Sequence, residues 1–125
     1  MPPPKAESPA DAYVLPVPRD AVKLTKEMVE PPPASFKGHL VIPEGIQVIE
    51  FLAFSFGFEG IDIIELTLPE SLKKMEEFEP QGLKKITTGA GVQFDLYPDF
   101  QKAYTEIYGS AAGTYILKGD TWEQV

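Results

Sequence analysis

The chain of 125 residues contains no cysteine and only one histidine. Without cysteine, it forms no disulfide and offers no thiol nucleophile. One histidine is too few for most of the acid–base and metal chemistry that operates near neutral pH. The sequence also contains no nucleophile elbow, phosphate-binding loop or His-Glu-x-x-His motif. We therefore predict a protein that is not an enzyme and that uses no cofactor and no metal.

Basic residues are scarce as well. Eleven lysine and arginine residues stand against 19 aspartate and glutamate residues, which gives a net charge of -8. Nucleic acids are bound by clustered cationic side chains, so this balance argues against a nucleic-acid partner. No run of 18 apolar residues is present, and we expect no membrane span. Because the N-terminus lacks the apolar stretch of a signal peptide, we expect the chain to be either cytoplasmic or the mature part of an exported protein.

Proline is concentrated at one end of the chain, with nine of the 13 prolines in residues 1–36. Runs such as Pro2–Pro4 and Pro31–Pro33 favour extended polyproline II over packed structure. We therefore predict a largely disordered, proline-rich linker over residues 1–36. Two alternatives stay open within it: a short helix over Asp20–Val29 with Asp20 as its N-cap, or a degenerate N-terminal cap.

The strongest pattern in the rest of the chain is an internal repeat. The segment Leu40–Glu50 recurs 26 residues later as Leu66–Glu76, with apolar residues, a proline and two glutamates at matching positions. A worn third copy over residues 82–88 keeps the apolar spacing but lacks the Leu-Pro pair. Periods of this length are typical of stacked units that bury a shared core and bind partners through their surface.

Apolar residues and prolines follow one another in a fixed order in these copies: Ile42-Pro43, Ile46, Ile49 and Ala53-Phe54, then Leu68-Pro69, Leu72 and Met75. Over about residues 37–97, this order resembles the BspA-like leucine-rich repeats of bacterial surface proteins. The chain departs from that family in having no Cys or Asn in its loops, and in placing Glu-Glu-Phe-Glu-Pro after Met75 where the family has Ala-Phe. The resemblance implies a short leucine-rich repeat solenoid of about two to three turns and a role in adhesion at the cell surface.

Residues 98–125 carry a different pattern. Apolar residues at helical spacing predict a helix over Asp99–Tyr108 that ends at Gly109. The dipeptide Gly119-Asp120 lies between two β-prone segments and predicts a two-residue hairpin turn. We predict that this helix and hairpin cap the last repeat and cover its apolar end, which makes the fold mixed and β-rich. The predicted core-facing stripe of the helix comprises Phe100, Ala103, Tyr104, Ile107 and Tyr108.

The repeat register defines the candidate contact residues. Because side chains alternate along a strand, the residues that flank the inward Leu40, Leu66 and Ile86 should face outward, and parallel pairing would bring them onto one face of a sheet. We predict this face as a partner-contact surface, although a solvated face without a partner fits the pattern as well. A second candidate is an exposed aromatic contact formed by Phe56 and Phe58. The predicted face comprises His39, Val41, Glu65, Thr67, Lys85 and Thr87.

These patterns favour a non-catalytic protein–protein interaction module, and the resemblance adds that it is at the cell surface or secreted and binds a host or cell-surface protein. Two alternatives stay open. One is a carbohydrate-binding accessory domain that stacks a polysaccharide on Tyr115, Trp122 and exposed phenylalanines. The other is an intracellular scaffold.

Overall fold

From residue 12 to residue 94 the chain alternates between two β-sheets, and each pass adds one strand to each sheet. The computed structural model describes residues 12–34, 36–50, 61–76, 82–95 and 98–125, with only the backbone described at residues 98 and 99. Sheets dominate this mixed fold, and the described residues contain one short α-helix. The strands are β1 (Ala12–Val14), β2 (Lys23–Leu24), β3 (His39–Val41), β4 (Val48–Ile49), β5 (Glu65–Thr67), β6 (Lys74–Met75), β7 (Lys85–Thr88), β8 (Gln93–Phe94), β9 (Gly113–Lys118) and β10 (Thr121–Gln124).

The odd-numbered strands and β10 form a six-stranded sheet, here called the long sheet, in the order β1-β3-β5-β7-β9-β10. The remaining strands form the short sheet, in the order β2-β4-β6-β8. Strands β1, β3, β5 and β7 pair in parallel, as do all four strands of the short sheet. Strands β9 and β10 pair antiparallel and complete the long sheet. Each strand is short because the chain turns into the other sheet after two to four residues until β9.

The pairing register confirms the predicted repeat alignment. Leu40 lies opposite Leu66, and Leu66 lies opposite Ile86. These three side chains are fully buried between the sheets. In the short sheet Ile49 and Met75 are paired in the same way and are also fully buried. Aliphatic residues that recur at one strand position thus form a continuous apolar layer, which no single pass of the chain could bury alone.

The structure corrects the prediction of a disordered linker for residues 12–34. Tyr13 of β1 lies opposite Leu40 and Leu24 of β2 lies opposite Ile49, so this segment adds a strand to each sheet. Leu15 and Leu24 are buried in the same core as the later copies. Pro16 lies two residues beyond the end of β1, where its missing N–H interrupts no ladder. Strands on both sides of the predicted boundary at residue 36 therefore belong to the same two sheets.

The alternative of a helix over Asp20–Val29 is also wrong. This segment contains β2 and one 3₁₀ turn, Lys26–Met28. Leu24 is fully buried, whereas Val22, which the helix would have turned inward, is 55% exposed. Sheet pairing buries Leu24 and hydrogen bonds the backbone at the same time, and this tertiary gain exceeds what a short isolated helix offers.

The C-terminal segment contains the predicted helix and hairpin. The helix starts as α1 (Pro98–Lys102) and widens into a π-helical segment, Ala103–Ile107. The backbone N–H of Tyr108 donates to the carbonyl of Ala103, five residues back. This extra residue in the turn rotates the end of the helix, so that Ile107 is 61% exposed and not core-facing as predicted. The hairpin is confirmed, since Lys118 and Thr121 pair across Gly119-Asp120.

Aromatic side chains fill the space between the helix, the hairpin and β8. Phe100 is in edge contact with Phe94 and with Trp122, with ring centroids 5.1 Å apart in both pairs. Tyr104 and Tyr115 complete the cluster, and their rings are also in edge contact. Trp122 and Tyr115 are buried. The helix and the hairpin therefore cover the apolar end of the two-sheet core, as expected of a cap.

Hydrogen bonds also link successive turns of the chain between the sheets. The Ser71 hydroxyl accepts from the backbone N–H of Gly45 at 2.8 Å and donates to the carbonyl of Ile46 at 2.9 Å. One side chain thus satisfies two backbone groups of the preceding turn. The turn around Gly45 therefore depends on the turn that follows it.

The last turn, over residues 89–92, has no following repeat to do this, and Tyr104 of the cap takes the role. Its hydroxyl accepts from the N–H of Val92 at 3.1 Å and donates to the carbonyl of Gly89 at 2.8 Å. The carbonyl of Ser110 accepts from the N–H of Gly91 in the same turn. The cap therefore completes the backbone hydrogen bonding of the last turn as well as covering its apolar surface.

Candidate interaction surface

The outward face of the long sheet carries two rows of side chains that run across the strands. Residues on either side of a buried strand residue point away from the core, because side chains alternate along a strand. The register places His39, Glu65 and Lys85 side by side on adjacent strands. We call these three residues the charged row. They are the residues that precede the inward aliphatic layer in each copy.

The charged row is held together by its central carboxylate. Oε2 of Glu65 lies 3.6 Å from Nε2 of His39 and 3.6 Å from Nζ of Lys85. Nε2 of His39 also hydrogen bonds with the Thr67 hydroxyl at 2.8 Å. The side chains of Glu65 and Lys85 are 30% and 45% exposed, so water screens the ion pair between them and it contributes little to stability. These contacts do orient the three side chains relative to one another.

The second row lies two residues further along the strands. Register pairs Val14 with Val41, Val41 with Thr67, Thr67 with Thr87, and Thr87 with Thr114. At the far end, the N–H of Val125 donates to the carbonyl of Thr114, which places a sixth residue in the row. All six positions hold valine or threonine. We call this set the β-branched row: Val14, Val41, Thr67, Thr87, Thr114 and Val125.

The hydroxyl groups in the β-branched row already have partners within the face. Thr87 and Thr114 hydrogen bond through their hydroxyls at 3.0 Å, and Thr67 is bonded to His39. The two ends of the row are the most accessible part, since Val14 is 46% and Val125 77% exposed. The face therefore carries aliphatic groups beside an ion pair between Glu65 and Lys85.

All six residues of the predicted contact face lie together on this surface, so the predicted register is confirmed, while their role in binding stays a prediction. Sequence reasoning missed Val14, Thr114 and Val125, which extend the face at both ends. A signal for the first was present, because Tyr13-Val14-Leu15-Pro16 repeats the order of Leu40-Val41-Ile42-Pro43. No comparable signal exists for Thr114, which joins the row through antiparallel pairing after the repeats end.

The sequence predicted two aromatic contacts, one at Phe56 and Phe58 and one at Tyr115 and Trp122. Phe56 and Phe58 lie outside the residues that the structure describes. Tyr115 and Trp122, which the carbohydrate-binding alternative requires at the surface, are 0% and 2% exposed. Their rings pack against Phe100 in the cap. A sugar cannot stack on a ring whose faces are already covered by protein.

The residues that the structure describes contain no group of three or more histidine, aspartate or glutamate side chains placed to hold a metal ion. Their helices include none with the length and apolar character needed to cross a membrane.

In comparisons with known proteins, no family model, no curated protein and no solved structure matches the chain.

Proposed function

We propose that the chain is a short leucine-rich repeat solenoid of the BspA-like kind and that it acts as a non-catalytic protein-binding module. The resemblance of the repeats, the constant register between successive copies and the buried aliphatic layer support this proposal. Stacked repeats present an extended sheet face, and such faces suit the binding of another macromolecule better than the enclosure of a small substrate.

One observation carries the proposal. The outward face of the long sheet holds charged and β-branched side chains in register over adjacent strands, and hydrogen bonds and ion pairs orient them. A partner that meets such a face finds groups whose positions are set before binding. Preorganised groups lose little conformational entropy when the complex forms, which favours affinity.

The resemblance further suggests where the module works. We propose the cell surface or the extracellular space, with a host or cell-surface protein as partner. The intracellular scaffold remains the competing assignment. Labelling of intact producing cells with an antibody to this chain separates the two, because only a surface location leaves the chain accessible without permeabilising the cell.

The binding test compares matched charge reversals. The full-length chain, immobilised, is used to capture proteins from extracellular matrix and from the envelope of the producing cell. Lys85→Glu and Glu65→Lys reverse charges within the charged row, and Lys102→Glu and Glu106→Lys make the same reversals on the exposed side of the helical cap. We expect the first pair to lose captured proteins that the wild type and the second pair retain.

A melting midpoint measured for each variant separates lost binding from lost folding. Surface charge changes of this kind alter stability by less than about 0.5 kcal/mol, so all four midpoints should stay close to the wild-type value. If every variant captures the same proteins as the wild type, the long-sheet face is not the binding surface and the proposal fails.

A further inference from the structure

The β-branched row differs from its surroundings in chemistry. It contains no ionisable side chain at its five positions on β1, β3, β5, β7 and β9 or at Val125, which directly follows β10, in a chain of which 24% of the residues are charged. The neighbouring charged row lies only two residues away along each strand. Two kinds of contact are therefore available on one face, and they run side by side.

The polar groups beside the row do not require a polar partner. The carboxylate of Glu65 is already flanked by His39 and Lys85. The hydroxyls of Thr87 and Thr114 are bonded to each other. A partner that covers the two hydroxyls leaves them hydrogen bonded to each other, so it avoids the cost of burying an unsatisfied polar atom.

The row is also rigid and extended. Valine and threonine have few allowed χ1 rotamers, so these side chains lose little freedom when they are covered. Six strands at a spacing of about 4.8 Å make a row of about 24 Å. An extended polypeptide rises about 3.3 Å per residue, so about seven residues would span the row.

We infer that the β-branched row binds an extended, uncharged, aliphatic segment of the partner protein, laid across the strands of the long sheet. This inference rests on the proposed function and names the chemistry of the partner. The charge of the face is balanced locally, so an uncharged segment is its electrostatic complement. Val14, on the edge strand β1, is 46% exposed and supplies accessible aliphatic surface within the row.

The test uses a random peptide library displayed on phage and selected against the immobilised full-length chain. We expect the enriched peptides to be uncharged and rich in valine, isoleucine, leucine and threonine. Their affinities, measured by calorimetry with synthetic peptides, should fall at least about tenfold on Thr87→Lys or Val41→Lys, since each substitution places a charge in the row. Thr87→Val keeps the shape of the side chain and should preserve binding.

Control variants separate an effect on the row from a general effect of the added charge or a loss of folding. Thr105→Lys makes the same substitution on the exposed side of the helical cap and should leave peptide binding unchanged. If Thr87→Lys does not fold, as judged by circular dichroism, Val14→Lys at the exposed end of the row replaces it. Enrichment of acidic, basic or aromatic peptides, an absence of enrichment, or equal losses in Thr87→Lys and Thr105→Lys would overturn the inference.

Failure of the inference can be told apart from failure of the proposed function. If Lys85→Glu abolishes capture of partner proteins while Thr87→Lys leaves it intact, the face binds a partner through its charged row alone. The proposed protein-binding function would then hold, and the proposed binding of an aliphatic segment would be wrong. If neither substitution changes capture, both proposals fall.

Discussion

Replacement of Tyr104 by phenylalanine removes a single oxygen atom from the centre of the C-terminal cap. The hydroxyl accepts a hydrogen bond from Val92 and donates one to Gly89, and both backbone groups are buried. The ring itself packs against Phe94 and Phe100 and would stay in place. The substitution therefore tests the hydrogen bonds between cap and last turn separately from the apolar packing of the cap.

The expected loss follows from the number of bonds and their burial. Each intramolecular hydrogen bond contributes a net of about 0.5–1.5 kcal/mol, so two bonds account for about 1–3 kcal/mol. The N–H of Val92 and the carbonyl of Gly89 lie where water cannot replace the lost partner, which puts the loss at about 2 kcal/mol or above. Domains of this size are stable by about 5–15 kcal/mol in total. The effect should thus be a large fraction of the whole.

The assay is urea unfolding at equilibrium, followed by two probes. Trp122 is the sole tryptophan and is buried against Phe100, so its fluorescence reports the cap. Far-ultraviolet circular dichroism reports the sheets. The matched control is Tyr108→Phe, the same chemical change at a half-buried residue of the same helical segment; the hydroxyl of Tyr108 forms no hydrogen bond with the described residues.

For Tyr104→Phe we expect the midpoints of both probes to fall together, since the cap and the last turn share one core. For Tyr108→Phe the change should stay within about 0.5 kcal/mol. Equal and small losses in the two variants would refute the assigned role of the Tyr104 hydroxyl. A loss seen only by fluorescence would mean that the cap unfolds separately from the repeats.

Two further predictions concern the core and alkaline pH. Leu68→Ala removes an almost fully buried side chain and should lower the free energy of unfolding by about 2–5 kcal/mol. The control is Val22→Ala at a position 55% exposed, which should lower it by less than about 0.5 kcal/mol. Similar losses of stability for the two variants in urea unfolding would contradict the inward position of Leu68. Burial raises the pKa of Tyr104 and of Tyr115 above the usual tyrosine value. Their neutral forms therefore stabilise the fold fully below about pH 10, and this contribution is lost as the pH rises through the folded pKa values, because the unfolded chain ionises first. A urea midpoint that increases with pH in this range would be the contrary result.

The repeat register was predictable because it depends on local periodicity. The inward positions of Leu40 and Leu66 follow from their recurrence with the same neighbours, and parallel pairing then places His39 beside Glu65. The hairpin was predictable for a similar reason, since Gly119-Asp120 suits a tight turn whatever surrounds it. Gly119 does adopt a positive φ of 69°.

The N-terminal strands were not predictable from composition. Proline-rich sequence favours extended backbone in isolation, and an isolated extended segment has no core to join. Leu15 and Leu24 become buried only because strands β3 and β4 lie beside them with an apolar layer already formed. The one local sign of these strands was the order of valine, an aliphatic residue and proline that residues 14–16 share with residues 41–43. The prediction gave more weight to the proline content.

The π-helical segment and the role of Tyr104 belong to the same class of tertiary effects. Helical spacing predicted an inward Ile107, but the extra residue in the turn rotates it outward. No sequence pattern connects Tyr104 with Gly89 and Val92, because the bonds join a helix to a turn that has lost its repeat signature.

The amino-acid sequence by itself determined which side chains face the core in each repeat and which share the outward face, because these follow from alternation along a strand and from a constant repeat length. Only the tertiary structure decided how far that face extends. Val14 belongs to the face because β1, which the proline-rich composition did not predict, pairs with β3. Thr114 and Val125 belong to it because the hairpin pairs antiparallel with β7. Contacts between segments distant in sequence depend on which surfaces the folded chain brings together, and the local periodicity of the sequence does not determine them.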